Sequence, residues 1–314
     1  HVESLSLGTT SKVHVREAEV IDPDGKHVLV AKDIEASIDL VRLLSSLART
    51  GVPDVQLDDV RIGSADVVLD SDSSGTPAIA RAFASRPTPT PRPTRLPSPS
   101  LSKPAPAPPP RLQIRNAKVA HAHVHGNLVP PSLDGDVIDV DGRFDLHDNR
   151  AEVRVDRGRV ELRSPGLPNQ KAPIAGTTKG ELVVDLTTSS LKGHANLEGS
   201  CGALPVVAHA TIDGEQVEGS LDIARTEPAA VATAFSGVPL TKPLEIHARA
   251  RGKLPSIVID AQVHAGETLA NVSGELDLRE GNAFKVEIDT AHVDARTFGV
   301  DLATDISGKV TAEG

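Results

Sequence analysis

Three histidines alternate along one short segment of the chain, at His121, His123 and His125. In an extended strand, alternate residues lie on the same face and are about 7 Å apart. Two such imidazoles can share a metal, but a zinc site needs three or four ligands at fixed distances. No cysteine and no His-x-x-x-His pair stands out as a source of the missing ligands. We therefore predict no metal site here and interpret the three histidines as the solvated face of a strand.

A second segment looks like the opening of a calcium loop. Residues 70–75 read Asp-Ser-Asp-Ser-Ser-Gly, but the twelfth position of the loop is Arg81, where a bidentate Glu is required. We interpret the segment as a polar turn that leads into a short helix, with Thr76 as its cap and Pro77 in its first turn.

The remaining reactive residue types give no catalytic pattern. Residues 134–142 alternate Asp with aliphatic residues, which is typical of the wet face of a strand. The single cysteine, Cys201, lies in a Gly-Ser-Cys-Gly segment with no base nearby, and it cannot form an internal disulfide framework. No phosphate-binding glycine loop, nucleophilic serine elbow or base-stacking aromatic pattern is found. We predict that the protein is not an enzyme and has no cofactor.

The composition limits the partners and the core. The 314 residues include 5 Phe and no Trp, Tyr or Met, so any core is aliphatic. A formal charge of −10 argues against binding to nucleic acid. The chain begins at His1, without a signal peptide or an 18-residue apolar run, and we interpret it as part of a longer protein whose membrane anchor lies elsewhere.

The chain divides into three regions. Residues 1–85 read as strands with a capping helix, residues 86–110 as a linker or extruded loop, and residues 111–314 as a repeating β region. Eleven of the 25 residues in the middle region are proline, which cannot join a sheet ladder. The helix of the first region is predicted from Asp39 as cap, from Gly51 as its end and from an apolar stripe that should pack on the sheet: Leu40, Leu43, Leu44 and Leu47.

One apolar face dominates the last region. A turn at Asp213-Gly214 would oppose Val206 to Leu221, and a turn at Gly266-Glu267 would oppose Ile257 to Leu276. Both turns put the aliphatic residues on one side of the sheet and the polar residues on the other, although a one-residue slip would reverse every side chain. The predicted apolar face comprises Leu204, Val206, Ala208, Ala210, Ile212, Val217, Leu221, Ile223, Ile257, Ile259, Ala261, Val263, Ala270, Val272, Leu276, Leu278, Phe284, Val286 and Ile288.

Several segments follow one another in an order that invites comparison with a known family. In the first region a turn segment, a strand, the leucine helix, two further strands and a short Phe-containing helix follow in sequence. Later segments read as strand repeats with similar patterns. The segments are residues 20–28, 40–47, 55–62, 67–72, 75–83, 180–186, 230–237 and 301–308.

This order resembles the amino-terminal portion of the AsmA-like superfamily, and most closely its TamB (translocation and assembly module) branch. The resemblance covers most of the chain apart from the proline-rich region. It implies a periplasmic protein, anchored in the inner membrane outside this chain, whose sheet curls into a groove that conducts phospholipid toward the outer membrane. It also implies a role in outer-membrane biogenesis, with an outer-membrane barrel partner that binds through regions absent here.

We therefore expect a mostly β protein, a long antiparallel meander curled into an open aliphatic-lined groove with a few short helices. A sixteen-carbon acyl chain in water costs on the order of 12 kcal/mol, at about 0.8 kcal/mol per methylene, and such a groove would remove most of that cost. The leading hypothesis is a lipid-transfer segment that shields phospholipid acyl chains. The alternative is a structural or adhesive β-protein, either a β-solenoid or an array of β-sandwiches, with no lipid transport.

Overall fold

A computed structural model describes residues 5–7, 12–70, 78–83, 111–127, 133–163, 169–185, 187–188, 190–277 and 283–314. The predicted cap at Thr76 and Pro77, the proline-rich residues 86–110 and Leu278 of the predicted apolar face lie outside these ranges.

The described residues form one sheet of sixteen strands, in which each strand pairs with the next strand along the chain. All neighbours are antiparallel except β4 and β5, and β1 and β16 lie at opposite edges, so the sheet is not closed. The strands are β1 (Leu5–Leu7), β2 (Lys12–Ile21), β3 (His27–Ile38), β4 (Asp54–Val68), β5 (Arg111–Gly126), β6 (Leu133–His147), β7 (Arg150–Arg163), β8 (Ile174–Asp185), β9 (Ser190–Cys201), β10 (Leu204–Asp213), β11 (Gln216–Thr226), β12 (Leu244–Lys253), β13 (Ser256–Ala265), β14 (Thr268–Asp277), β15 (Phe284–Val293) and β16 (Ile306–Glu313).

The predicted fold class is confirmed: the chain is mostly β, an open curled meander with short helices. These are α1 (Leu40–Thr50), α2 (Ala78–Phe83), α3 (Pro228–Ala234) and a 3₁₀ turn (Ala295–Phe298). A β-solenoid would stack parallel coils, and a sandwich array would divide the strands among separate sheets. Neither architecture describes one sheet whose strand order is the chain order.

The parallel pair β4–β5 joins the first and last regions of the chain. Its register runs from Asp54 opposite Arg111 to Val68 opposite His125. Every other neighbouring pair within the described residues is antiparallel, as hairpins and short connections require. The strands on the two sides of the proline-rich region therefore belong to one continuous sheet.

Helix α1 begins and ends as predicted but does not pack as predicted. The Asp39 carboxylate accepts a hydrogen bond from the Arg42 backbone N–H at 2.9 Å, and Gly51 ends the helix with a φ of 68°. The expectation that its leucine stripe packs on the sheet is wrong, because Leu44 is 64% exposed and no residue of α1 is buried. Polar contacts hold the helix against β4 instead: Arg42 Nε donates to Asp54 Oδ2 at 2.9 Å.

Helix α3 covers one end of the sheet's apolar face. Pro228 occupies its first turn, and Val231 and Ala234 are buried on the side that faces the strands. They pack in a cluster of aliphatic and thiol side chains around the β9–β10 turn and the end of β11. The cluster contains Cys201, Leu204, Val206, Ile223, Val231 and Ala234.

Strands β3 to β6 share one line of irregularity. Asp33, Gly63, Ala120 and Asp139 lie side by side in neighbouring strands, and none of them has a partner in the sheet ladder. Asp33 and Asp139 both have a φ of 53°, in the left-handed region that suits Asp better than most residues. Each of these strands has one extra, unpaired residue at this line. The apolar residues on either side of it are therefore three positions apart instead of two, and they stay on the same face of the sheet.

Candidate functional site

A single row of small aliphatic residues crosses the sheet from β2 to β16. Residues that pair directly across neighbouring strands lie on the same face, so the pairing register traces the row from one strand to the next. With about 4.8 Å between strands, fifteen strands give a row about 67 Å long. We call this row the central row; it consists of Val13, Ala36, Val60, Ala117, Gly142, Val155, Gly180, Ala195, Ala210, Gly219, Ala250, Ile259, Gly274, Val286 and Ala312.

A second row runs parallel to the central row and carries larger side chains. No charged residue occurs in either row, and we call the surface that they share the apolar face. Four residues of the central row are glycines, so no side chain projects from the apolar face at these positions. The second row consists of Ile38, Leu57, Ile114, Phe144, Val153, Leu182, Gly193, Ile212, Val217, Gly252, Ile257, Leu276 and Phe284.

The two predicted hairpins differ in how well the sequence placed them. Ile257 opposes Leu276 as predicted, with the turn at Gly266-Glu267. The turn at Asp213-Gly214 is wrong: Asp213 pairs with Gln216, so the loop is Gly214-Glu215, and Leu221 opposes Ala208. The error is two residues in register, so every side chain stays on its predicted face.

Much of the apolar face is open. Val153, Leu182, Leu221 and Phe284 are between 36% and 44% exposed. A sealed core hides side chains of this size almost completely. The intermediate exposure along the face is that of side chains flanked by neighbours in their own sheet and uncovered from above.

Part of the predicted face is covered by protein. Leu204, Val206 and Ile223 lie on the apolar face as expected, but they pack beneath α3 and are 1%, 3% and 7% exposed. Ile257 is also buried, at 8%. The other described residues of the predicted face are at least partly accessible: Ala208, Ala210, Ile212, Val217, Leu221, Ile259, Ala261, Val263, Ala270, Val272, Leu276, Phe284, Val286 and Ile288.

The opposite face of the sheet is polar and rich in ion pairs between strands. Asp141 lies 2.8 Å from Arg157 on β7 and 3.8 Å from Lys118 on β5. Lys192 and Asp213 pair at 3.0 Å across β9 and β10. The acidic residues 134–142 are on this face or at the irregular line, which confirms the interpretation of that segment as the wet side of a strand.

A few titratable groups have shifted pKa values, and the causes are local. Burial raises the pKa of the Cys201 thiol, whose Sγ donates to the Ala172 carbonyl at 3.1 Å. Such a thiol is a poor nucleophile. The Arg296 side chain beside Asp294 lowers the pKa of that carboxyl to about 2. Neither group lies on the open part of the apolar face.

The three histidines lie on the polar face, as the sequence predicted. Their side chains are 48%, 39% and 39% exposed in chain order. The structure adds what the sequence did not show: carboxylates from both neighbouring strands face them, Asp66 from β4 and Asp136 from β6.

The predicted residues of the apolar face begin at Leu204, so they include none from β2 to β9, although residues 111–314 are predicted as a repeating β region. In β3 to β6 the face steps by three residues at the irregular line, for example from Ala31 to Ile34 and from Val119 to Ala122. A pattern of strict alternation does not continue across this step. A pattern of two short alternating runs joined by a three-residue step predicts the apolar face in these strands.

No protein-family model, curated protein or solved structure matches this chain. Within the described residues, no helix is both long enough and apolar enough to cross a membrane.

Proposed function

We propose that the protein is a segment of a lipid-transfer protein that shields phospholipid acyl chains on its apolar face. The observation that carries the proposal is the aliphatic surface that the pairing register traces from β2 to β16. Some of its described residues are buried, namely Ala36, Val60, Ile257 and the patch beneath α3, but most of the others are at least partly accessible. A soluble monomer seldom exposes a contiguous apolar patch of more than a few hundred Å². A surface about 67 Å long needs an apolar occupant along most of its length.

The shape of the face suits an acyl chain better than a folded partner. A strand of ten residues is about 33 Å long. If each strand bends at the central row, its two halves form the two walls of a groove, and each wall is about 16 Å high. One leaflet of a bilayer has a hydrocarbon thickness of about 15 Å. Gly180, Gly219 and Gly274 keep the floor between the walls free of side chains.

The charge distribution supports a ligand recognised by its apolar part. The central row and the second row contain no charged group, so nothing on them fixes a headgroup. A phospholipid could therefore slide along the face with its headgroup in water at the open side. The resemblance to the TamB branch adds the expected setting: the periplasm, an inner-membrane anchor outside this chain, transport between the membranes, and a barrel partner in the outer membrane.

Two adjacent residues of β13 provide a matched test. Ile259 lies on the central row, whereas Val258 lies on the polar face between Arg251 and Glu275. Both are of intermediate burial. We expect the wild-type chain, purified under gentle conditions, to carry phospholipid that mass spectrometry detects. Ile259→Asp should lose most of it, and Val258→Asp should retain it.

Two results would contradict the proposal. One is a wild-type chain that carries no lipid and transfers no fluorescent phospholipid between vesicles. The other is an equal loss of lipid in both variants, which would indicate nonspecific adsorption. Either result would favour a structural or adhesive role for this single sheet, without lipid transport.

A further inference from the structure

Carboxylates on the polar face have two kinds of partner. Between β5 and β7, and between β9 and β10, they pair with Lys or Arg. At one end of β4, β5 and β6 they face imidazoles instead, and within the described residues no Lys or Arg forms an ion pair with them. The cluster consists of Asp66, His121, His123, His125, Asp134 and Asp136.

Three of these residues converge on one point. One ligand atom from each of Asp66, His123 and His125 can be chosen so that all three lie within 4.8 Å of one another. His125 Nε2 and Asp66 Oδ1 are 3.3 Å apart. With zinc–ligand bonds of about 2.0–2.2 Å, two ligands of a tetrahedral ion are about 3.3–3.6 Å apart. This pair already has the separation that a shared ion requires.

The ring of His123 is oriented by two contacts, one with His125 and one with Asp136. The rings of His123 and His125 stack with their centroids 5.0 Å apart. His123 Nδ1 lies 3.2 Å from Asp136 Oδ1. When the Nδ1–H of a ligating histidine donates to a carboxylate, it fixes the tautomer and leaves Nε2 free to bind metal.

We propose that Asp66, His123 and His125 bind a zinc ion on the polar face, with water completing its coordination and Asp136 positioning His123. The sequence offers no third ligand near the histidines, but the sheet brings one from β4. The neighbouring carboxylates of Asp134 and Asp136 make the electrostatic potential at this point more negative, which favours the binding of a cation.

The location gives the ion a structural role. Asp66 is on β4, and both histidines are on β5, which together form the parallel pair of the sheet. The other neighbouring strands are joined by hairpins or by connections of at most 17 residues, whereas β4 and β5 are separated by residues 69–110, which include the proline-rich region. A bound zinc would cross-link this pair directly.

Equilibrium dialysis of tag-free protein against ZnCl₂, read by metal analysis, tests the proposal. We expect one zinc per chain in the wild type and a loss of affinity of about tenfold or more in His125→Ala and in Asp66→Asn. The matched control is His121→Ala. His121 is on the same strand and lies 2.8 Å from Asp136, but it is not one of the three ligands. It should keep one zinc.

Hydrogen exchange distinguishes a structural site from adventitious binding by surface histidines. Zinc should slow the exchange of β4 and β5 amides in the wild type and in His121→Ala, and should leave them unchanged in Asp66→Asn. Zinc bound equally well by Asp66→Asn, zinc lost in His121→Ala, or no stoichiometric zinc at all would each overturn the proposal. None of these measurements depends on lipid, so the result stands apart from the proposed function.

Discussion

Leu204 and Leu221 are the same residue type on the same face of adjacent strands, yet they differ in environment. Leu204 is 1% exposed beneath α3, and Leu221 is 36% exposed on the open part of the face. The strands alone do not distinguish the two. The seven-residue helix α3 (Pro228–Ala234) covers Leu204 and makes it a core residue. Leu221 is not covered by α3 and stays on the surface.

The difference shows how one aliphatic sheet can serve two purposes. Beneath α3, the aliphatic side chains contribute to stability by burial against protein. On the open part of the face, at residues such as Leu221 and Phe284, the side chains gain less from folding, because they stay accessible to water or a ligand. A polar substitution should therefore lower the free energy of unfolding beneath α3, and should reduce lipid binding on the open part of the face.

The largest effect is expected for Val206→Asp. Val206 is 3% exposed, and a carboxylate there has no cationic partner and no access to water. We expect a loss of about 3–5 kcal/mol in the free energy of unfolding, enough to unfold a marginally stable chain. Circular dichroism during urea titration measures it. A near-native unfolding midpoint would show that the patch beneath α3 is open.

A pair of alanine substitutions on β11 sharpens the comparison. Ile223 is buried by α3 and Leu221 is exposed, two residues apart on one face. Ile223→Ala should leave a cavity and cost about 2–4 kcal/mol in unfolding free energy, whereas Leu221→Ala should cost about 1 kcal/mol. Equal losses in denaturant titrations would mean that the open face is packed against something that the described residues do not include.

Helix α1 provides the control outside the sheet. Leu44→Ser should change the unfolding free energy by less than about 0.5 kcal/mol, because the side chain is 64% exposed. The same denaturant titration measures it. A loss above about 2 kcal/mol would indicate that the leucine stripe of α1 packs against an apolar surface in solution.

The smallest effect is expected at His247 on the polar face. Hydrogen bonds to Asp222 and Glu245 raise the pKa of its imidazole. A raised pKa stabilises the fold below the ordinary pKa of histidine, and this contribution is lost as the pH rises through the folded value. We expect an NMR titration midpoint above about 6.5, shifted downward in Asp222→Asn. A midpoint that is the same in wild type and variant would show that the contact is not made in solution.

The part of the fold that the sequence predicted correctly depends on local chemistry. The turn at Gly266-Glu267 places glycine first in a two-residue loop, with a φ of 65°, and Gly214-Glu215 repeats the arrangement with a φ of 62°. Reading Asp213-Gly214 as the loop put glycine second and moved the register by two residues. The faces survived because side chains alternate with a period of two.

What the sequence did not predict depends on contacts between distant segments. The cover of α3 over Val206, the pairing of β4 with β5 and the approach of Asp66 to His125 all require the assembled sheet. Similarly, the amphipathic pattern of α1 predicts a helix but not what covers it. Polar contacts such as Arg42 with Asp54 decide its position instead.

The identity of strand order and chain order also bears on how the protein folds. Each strand needs only its predecessor as a template, so the sheet can grow by addition at an edge, as in repeat proteins, with mostly short loops to close. The pairing of β4 with β5 is the exception, because it must close a long loop before it gains any ladder hydrogen bonds. We expect this step to limit the folding rate, and the sheet on either side to form before the two parts join.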